Sequence, residues 1–284
     1  ARMSSSGRGG LNSTALALIP LAIAINIVVG QLVITSRVLP VYLDSIGTVL
    51  VGALLGPWIG LLTGLLSNVI WTLTGLPNSG PAIWFSYVAA VIGLIAGFAG
   101  RAGLFTRQSP RWLSAIIGAI FFFALAVFVL SIIGAQEHPD GYIVFPNMAD
   151  LVVQQPLIFI VALVAGAVIG YYVLQRAGYA GLVGLFTGVV AAIISAPMAA
   201  YVFQGITGSG TDLLVAAFRA SGATILQSAF AQGVVSDPFD KMTSFLLVWL
   251  IIQALPRRLL MRFPTMQRAG ADDQDVFGEP AAER

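Results

Sequence analysis

Between Ser13 and Phe263 the chain passes through one apolar stretch after another, and almost none of them contains a charge. About 20 consecutive apolar residues cross the hydrocarbon core of a bilayer. Inside that core every backbone N–H and C=O must be satisfied within the protein, which leaves helices or closed barrels. No ten-residue alternating strand pattern is present, so the stretches read as helices. Eight of them have span character: 13–34, 43–56, 57–75, 82–100, 112–134, 149–174, 181–203 and 239–255. The first is too long for the apolar region of a signal peptide and reads as a span. The second is short, and the second and third are joined tightly at Gly56-Pro57.

Composition agrees. Hydrophobic residues make up 58% of the 284 and charged residues 9%, against about 25% charged in an ordinary soluble domain. Mean hydropathy is +0.92. Of the 26 charged side chains, nine lie in the first twelve residues and the last 21, leaving 17 for the stretch between. A soluble core cannot absorb so much apolar surface, which excludes a water-soluble enzyme and a disordered chain. The net charge of +2 is too small to point to nucleic acid. With no cysteine there is no disulfide framework and no thiol chemistry. The expected organisation is a disordered N-terminus at 1–12, a transmembrane helical domain at 13–263 and a polar cytoplasmic tail at 264–284.

Arginine sets the expected orientation. Arg2 and Arg8 precede the first span, Arg101, Arg107 and Arg111 lie between the fourth and fifth, Arg176 follows the sixth, and Arg257, Arg258 and Arg262 follow the eighth. With eight spans all of these fall on one side, so the positive-inside rule puts both termini in the cytoplasm of a multi-pass inner-membrane protein. The opposite side then carries Arg37, Arg219 and Lys241 against seven acids: Asp44, Glu137, Asp140, Asp150, Asp212, Asp237 and Asp240. That face is net negative and favours cationic or neutral solutes. If 211–235 crossed as well, the arginines after the eighth span would lie outside. That segment therefore reads as a re-entrant or interfacial helix, with a polar-lined span as the alternative. Asp237-Pro238-Phe239-Asp240 reads as the cap that starts the eighth span.

Glycine spacing is the other strong pattern. Gly52/Gly56, Gly60/Gly64, Gly93/Gly97, Gly166/Gly170 and Gly184/Gly188 are small-xxx-small pairs that let helices approach closely in lipid. Gly52–Gly56 is echoed by Gly166–Gly170, and Gly60–Gly64 by Gly184–Gly188. The echoes pair the second and third spans with the sixth and seventh in the same direction, which suggests a parallel four-plus-four repeat; convergence of packing motifs is the alternative.

Chemistry-bearing motifs are few. No Walker A loop is present, so the chain does not hydrolyse ATP alone. One histidine, His138, builds no ordinary zinc site without cysteine. No catalytic residues and no cofactor are expected. Polar residues within spans are costly and usually functional, and they gather toward the outer half. The expected substrate site lies there, closed by the loops 76–81 and 136–147. Its residues are Asn68, Trp71, Asn78, Trp84 and Tyr87 around the first loop, and Asn147, Asp150 and Gln154 beside the second. Asp150 and Gln154 are four apart and share a helix face. Such a set, mainly aromatic with a few converging polar groups, suits a flat heteroaromatic ligand. The region of Tyr201, Gln204 and Asp212 is the alternative location.

The run from Leu39 to Asn68 carries Asp44, Gly47 and Thr48 on one helix, the Gly56-Pro57 turn, and a Gly-rich helix ending in Asn68. It resembles the substrate-binding S components of energy-coupling factor (ECF) transporters, best over 26–100. The later run from Ser195 to Tyr201, with Gly208 to Asp212, is similar to longer relatives of that family. The resemblance implies a membrane subunit that captures a vitamin-like micronutrient outside and works with a membrane scaffold subunit and two cytoplasmic ATPases. The family commonly has six spans. Its Ala-xxx-Ala scaffold contact on the first helix has its nearest match at Ala22 and Asn26.

Overall fold

A computed structural model describes residues 13–36, 39–137, 139 and 143–267. The expected disordered N-terminus and most of the expected tail, together with Arg37, His138 and Asp140, lie outside the described residues.

Among the described residues the structure is mainly helical, with one two-residue antiparallel ladder pairing Gln136–Glu137 with Ile143–Val144. In chain order the helices are α1 (Ser13–Ser36), α2 (Ile46–Leu55), α3 (Pro57–Leu73), α4 (Ser86–Arg101, after a 3-10 turn at Gly80–Phe85), α5 (Arg111–Ile133), α6 (Met148–Gln154), α7 (Pro156–Tyr172), α8 (Gly178–Tyr201), α9 (Asp212–Ala220), α10 (Ile225–Ala254) and α11 (Arg257–Leu260). Among the described residues four stretches are long and apolar enough to cross a membrane: Leu16–Ser36, Gly80–Arg101, Arg111–Ile133 and Gly178–Tyr201. The bent pair α6 and α7 makes a fifth if taken as one span. The architecture is that of an all-α polytopic membrane protein.

Its packing is inverted relative to a soluble protein. On α8 the buried side is Gly181, Gly184, Thr187, Gly188 and Ala191, while Leu182, Phe186, Val189 and Ile193 face outward. On α7 Leu157, Ile160, Val161 and Val164 are exposed and Gly166 and Gly170 are buried. Water would not tolerate such an apolar exterior, whereas lipid does. The small residues inside let backbones touch. A Cβ on Gly93 would lie 2.1 Å from the Gly60 carbonyl oxygen, and one on Gly118 would lie 2.2 Å from that of Gly166. The pairs α3/α4, α5/α7 and α8/α10 are thus in backbone contact.

The contacts separate the two glycine echoes. Gly60–Gly64 packs against α4, and Gly184–Gly188 packs against α10, as a repeat requires. Gly52, however, meets Gly93 on α4, whereas Gly166 meets Gly118 on α5. The contacts of one echoed pair therefore match and those of the other do not.

Three expectations about elements are corrected. The stretch 149–174 is not one straight helix: α6 and α7 meet at 91°. Pro156 starts α7, and Gln155 before it is driven out of the helical region (φ −127, ψ 50). The segment 211–235 is not one helix either. It forms α9 and then the first third of α10, which starts at a capping box between Thr224 and Gln227. Asp237 and Asp240 consequently cap nothing. They sit in the middle of a 30-residue helix, around an internal Pro238.

The short α2 is explained by its position. All its residues from Gly47 to Leu55 are buried, between α1, α3, α4 and α10. At about 15 Å it could not cross lipid alone, and it has no lipid-facing side. Gly56, in the left-handed region (φ 99), turns the chain directly into α3 with Pro57 at its first position.

The arginine-bearing connections gather at one end of the bundle. Gly56 lies beside the Arg101 guanidinium, Gln253 donates to the Phe105 carbonyl at 3.1 Å, Ser109 donates to the Gln175 carbonyl at 3.3 Å, and Arg111 stacks over Tyr171. Thr265 donates to the carbonyls of Ala53 and Leu54, tying the chain after α11 to the same end. The C-terminal end of α1 and the N-terminal end of α2 lie at the other end, where the polar residues collect.

Candidate ligand site

Toward that second end α1, α3, α4, α8 and α10 enclose a cavity of about 820 Å³, counting its open mouth, of which about 90 Å³ can be occupied by the centres of water-sized molecules. It is a narrow slot, and its enclosed volume is below that of most small-molecule sites.

Three of the eight residues expected from the sequence line it: Asn68 and Trp71 on α3, and Asn78 in the following loop. Asn68 is 4% exposed, and its side-chain amide has no hydrogen-bond partner among the described residues. The Trp71 indole N–H donates to Gln31 Oε1 at 2.9 Å, and Gln31 Nε2 donates to the Pro77 carbonyl at 3.0 Å, so one α1 side chain fixes both the ring and the loop. Gly30 leaves the room: a Cβ there would lie 2.7 Å from the indole. Asn78 holds the left-handed conformation (φ 61) that Asn accepts more readily than most residues.

The other five lie elsewhere. Trp84 is half exposed on the 3-10 turn, outside the lining. Tyr87 is also outside it; its hydroxyl donates to the Ile194 carbonyl at 2.8 Å and ties α4 to α8 beside the cavity wall. Asn147 caps α6, accepting from the Ala149 N–H at 2.9 Å. Asp150 and Gln154 are exposed on α6, which packs on α5 and α7. None of the described residues of the loop 136–147 is in the lining.

The loop that meets 76–81 is instead the one before α9. A Cβ on Gly208 would touch the Asn78 side chain, and one on Gly210 would overlap the Leu39 carbonyl. Asp212 builds this loop: its carboxylate accepts from the N–H groups of Thr207 and Gly208 and from the Thr207 hydroxyl, at 2.7–3.0 Å. A chain of hydroxyls then runs from Thr207 to Ser209 (2.8 Å), Thr211 (2.6 Å) and the Tyr42 hydroxyl (2.8 Å). Thr207, Ser209 and Tyr42 line the cavity. Tyr201, Gln204 and Asp212, the alternative location, line a separate, more open cavity with Arg219, where the centres of water-sized molecules have about 530 Å³.

The least expected feature is electrostatic. Asp44, Asp237, Asp240 and Lys241 are not spread over an outer face but come together inside the bundle. Lys241 Nζ donates to Asp240 Oδ2 at 2.6 Å, to Ser45 Oγ at 3.2 Å and to Asp44 Oδ1 at 3.4 Å. Asp240 Oδ1 accepts the Leu43 N–H at 2.8 Å. Leu43 itself is left-handed (φ 50), an uncommon state for a leucine that the surrounding contacts must hold. Asp44, Asp237 and Lys241 line the cavity, and Asp237 keeps one hydrogen bond, from Ser236 Oγ at 3.2 Å. Three carboxylates and one ammonium leave a formal charge of −2. Among the described residues no group of three or more His, Cys, Asp or Glu is placed to hold a metal ion. The signal that could have found this cluster is Lys241 at the start of an apolar stretch with two aspartates just before it, since charges at membrane depth are rare and usually paired.

Ala22 and Asn26 are buried within the bundle. The Ala22 carbonyl abuts Gly47, and Asn26 bonds Thr48 (2.7 Å), Ser67 (2.9 Å) and the Gly47 N–H (2.7 Å). Neither residue offers a surface to a scaffold subunit.

Comparison with family models, curated proteins and solved structures finds no match for the chain.

Proposed function

We propose that this protein is the substrate-capture subunit of an ECF-type importer in the inner membrane, taking up a vitamin-like micronutrient. The observation that carries the reading is the slot itself. It is mainly apolar, has one unpartnered buried amide, and lies at the end of the bundle opposite the arginine connections. Residues 39–68, on which the resemblance rests, supply Tyr42, Asp44 and Asn68 to its wall. With those arginines cytoplasmic, the slot opens outward, both termini are inside, and the chain crosses eight times, α6 and α7 together making one crossing. Lipid surrounds the bundle, and a membrane scaffold with two ATPases would supply the energy.

The test is purification from native membranes in mild detergent. The expected product is a stoichiometric complex with one membrane scaffold and two nucleotide-binding chains, holding a releasable small molecule.

A second reading, a stand-alone carrier, is favoured by the buried Asp44–Asp240–Lys241 cluster, because intramembrane ionisable groups serve ion coupling in many transporters. Purified protein that accumulates a solute in liposomes under an ion gradient, without partners, would select it. A third, a ligand-sensing domain feeding a signalling protein, would leave the chain co-purifying with a kinase instead.

A further inference from the structure

The charges around the slot do not balance, and the imbalance faces the cavity. Lys241 is already committed to Asp240 and Asp44. Asp237 is 5% exposed, and its Oδ2 has no hydrogen-bond partner among the described residues. Lys241 also acts on Asp237 electrostatically, but one ammonium shared among three carboxylates leaves the buried charge under-compensated, a cost that is relieved when a second cation arrives. Asn68 gives an independent indication of a ligand: it is buried, lines the same cavity, and its amide is unpartnered. Gln232, a turn before Asp237 on α10, spends its Nε2 on Ser236 Oγ at 2.6 Å and leaves its Oε1 open. The open groups are therefore weighted toward acceptors. Tyr42, Trp71 and Phe85 add aromatic surface, which attracts cations through the ring quadrupole.

We propose that the slot is selective for a small organic cation, an aromatic or heteroaromatic compound bearing an ammonium or ring-nitrogen charge, with Asp237 as its counter-ion and Asn68 as a hydrogen-bonding partner. This deepens the capture reading and rests on it. The ammonium of such a ligand brings donors and no acceptor, which matches what the wall leaves unsatisfied. Its ring suits a slot walled by Trp71 and Phe85.

The experiment uses the full chain in nanodiscs, with empty nanodiscs as control. Binding of benzylammonium, benzyl alcohol and benzoate is read by saturation-transfer NMR, and molecules released from the protein purified from native membranes are identified by mass spectrometry. The expected result is binding of benzylammonium at least about 10-fold tighter than its neutral and anionic counterparts, as for a hydrogen bond to a charged group. Asp237→Asn removes that preference, Asp237→Glu retains it, and the released molecule is cationic. Benzyl alcohol or benzoate binding as well as benzylammonium, or a released neutral or anionic molecule, overturns the proposal and leaves the capture reading standing. If no probe binds and nothing is released, both fall. The wild-type comparison decides the matter even if a variant fails to fold.

Discussion

Replacing Lys241 with methionine tests whether the buried charge cluster behaves as one unit. Met matches the length of the side chain and removes the ammonium. Asp240, fully buried, then loses its 2.6 Å partner and keeps only the Leu43 N–H. The formal charge of the cluster goes from −2 to −3. Removing one member of a buried ion pair costs about 3–5 kcal/mol, because the other charge is left uncompensated. Asp240→Asn is milder. The amide oxygen can still accept from Leu43, and Lys241 retains Asp44 at 3.4 Å and Ser45 at 3.2 Å, so the loss is about 1–3 kcal/mol. In the double variant the charge returns to −2 and no buried carboxylate at position 240 needs a partner. Its stability falls close to that of Asp240→Asn, giving a coupling energy of about 2 kcal/mol or more. The assay is reversible unfolding in mixed micelles with rising SDS, followed by tryptophan fluorescence. Lys241→Met within about 1 kcal/mol of wild type, or a double variant whose loss equals the sum of the singles, would refute the reasoning.

Other expectations concern packing and topology. Gly93→Leu forces α3 and α4 apart, since even a Cβ would overlap the Gly60 carbonyl; in the same unfolding assay it costs about 3 kcal/mol or more, beyond ordinary overpacking. Asn26→Leu removes the polar junction of α1, α2 and α3; at about 0.6 kcal/mol per interhelical bond in membranes, plus the unpaired Gly47 N–H, the loss is about 2–4 kcal/mol. Thr265→Val frees the chain after α11 from the Ala53 and Leu54 carbonyls and speeds proteolysis after Phe263 while changing global stability by about 1–2 kcal/mol. Reporter fusions after Phe263 read cytoplasmic; a periplasmic reading there sinks the eight-crossing topology.

What the sequence determined by itself is the membrane class and most helix positions. Apolar run length depends on the transfer free energy of each segment and needs no knowledge of a partner. For this reason α1, α5 and α8 fall within a few residues of the expected 13–34, 112–134 and 181–203. Part of the candidate cavity lining was legible too, because Asn68, Trp71 and Asn78 are close in sequence and sit on one helix and the turn after it. What only the tertiary structure decided is which end of which helix meets which. Asp44 and Lys241 are 197 residues apart, as are Leu43 and Asp240. Thr211 reaches Tyr42 across 169. Small-xxx-small pairs recur on several helices and mark close approach without naming the partner, so the sequence could not say that Gly118 meets Gly166 while Gly52 meets Gly93. Asp237 and Asp240 read as the cap of a helix because the apolar run begins beside them. Their burial follows from twelve earlier residues, 225–236, continuing the same helix and from α2 and α8 packing beside it.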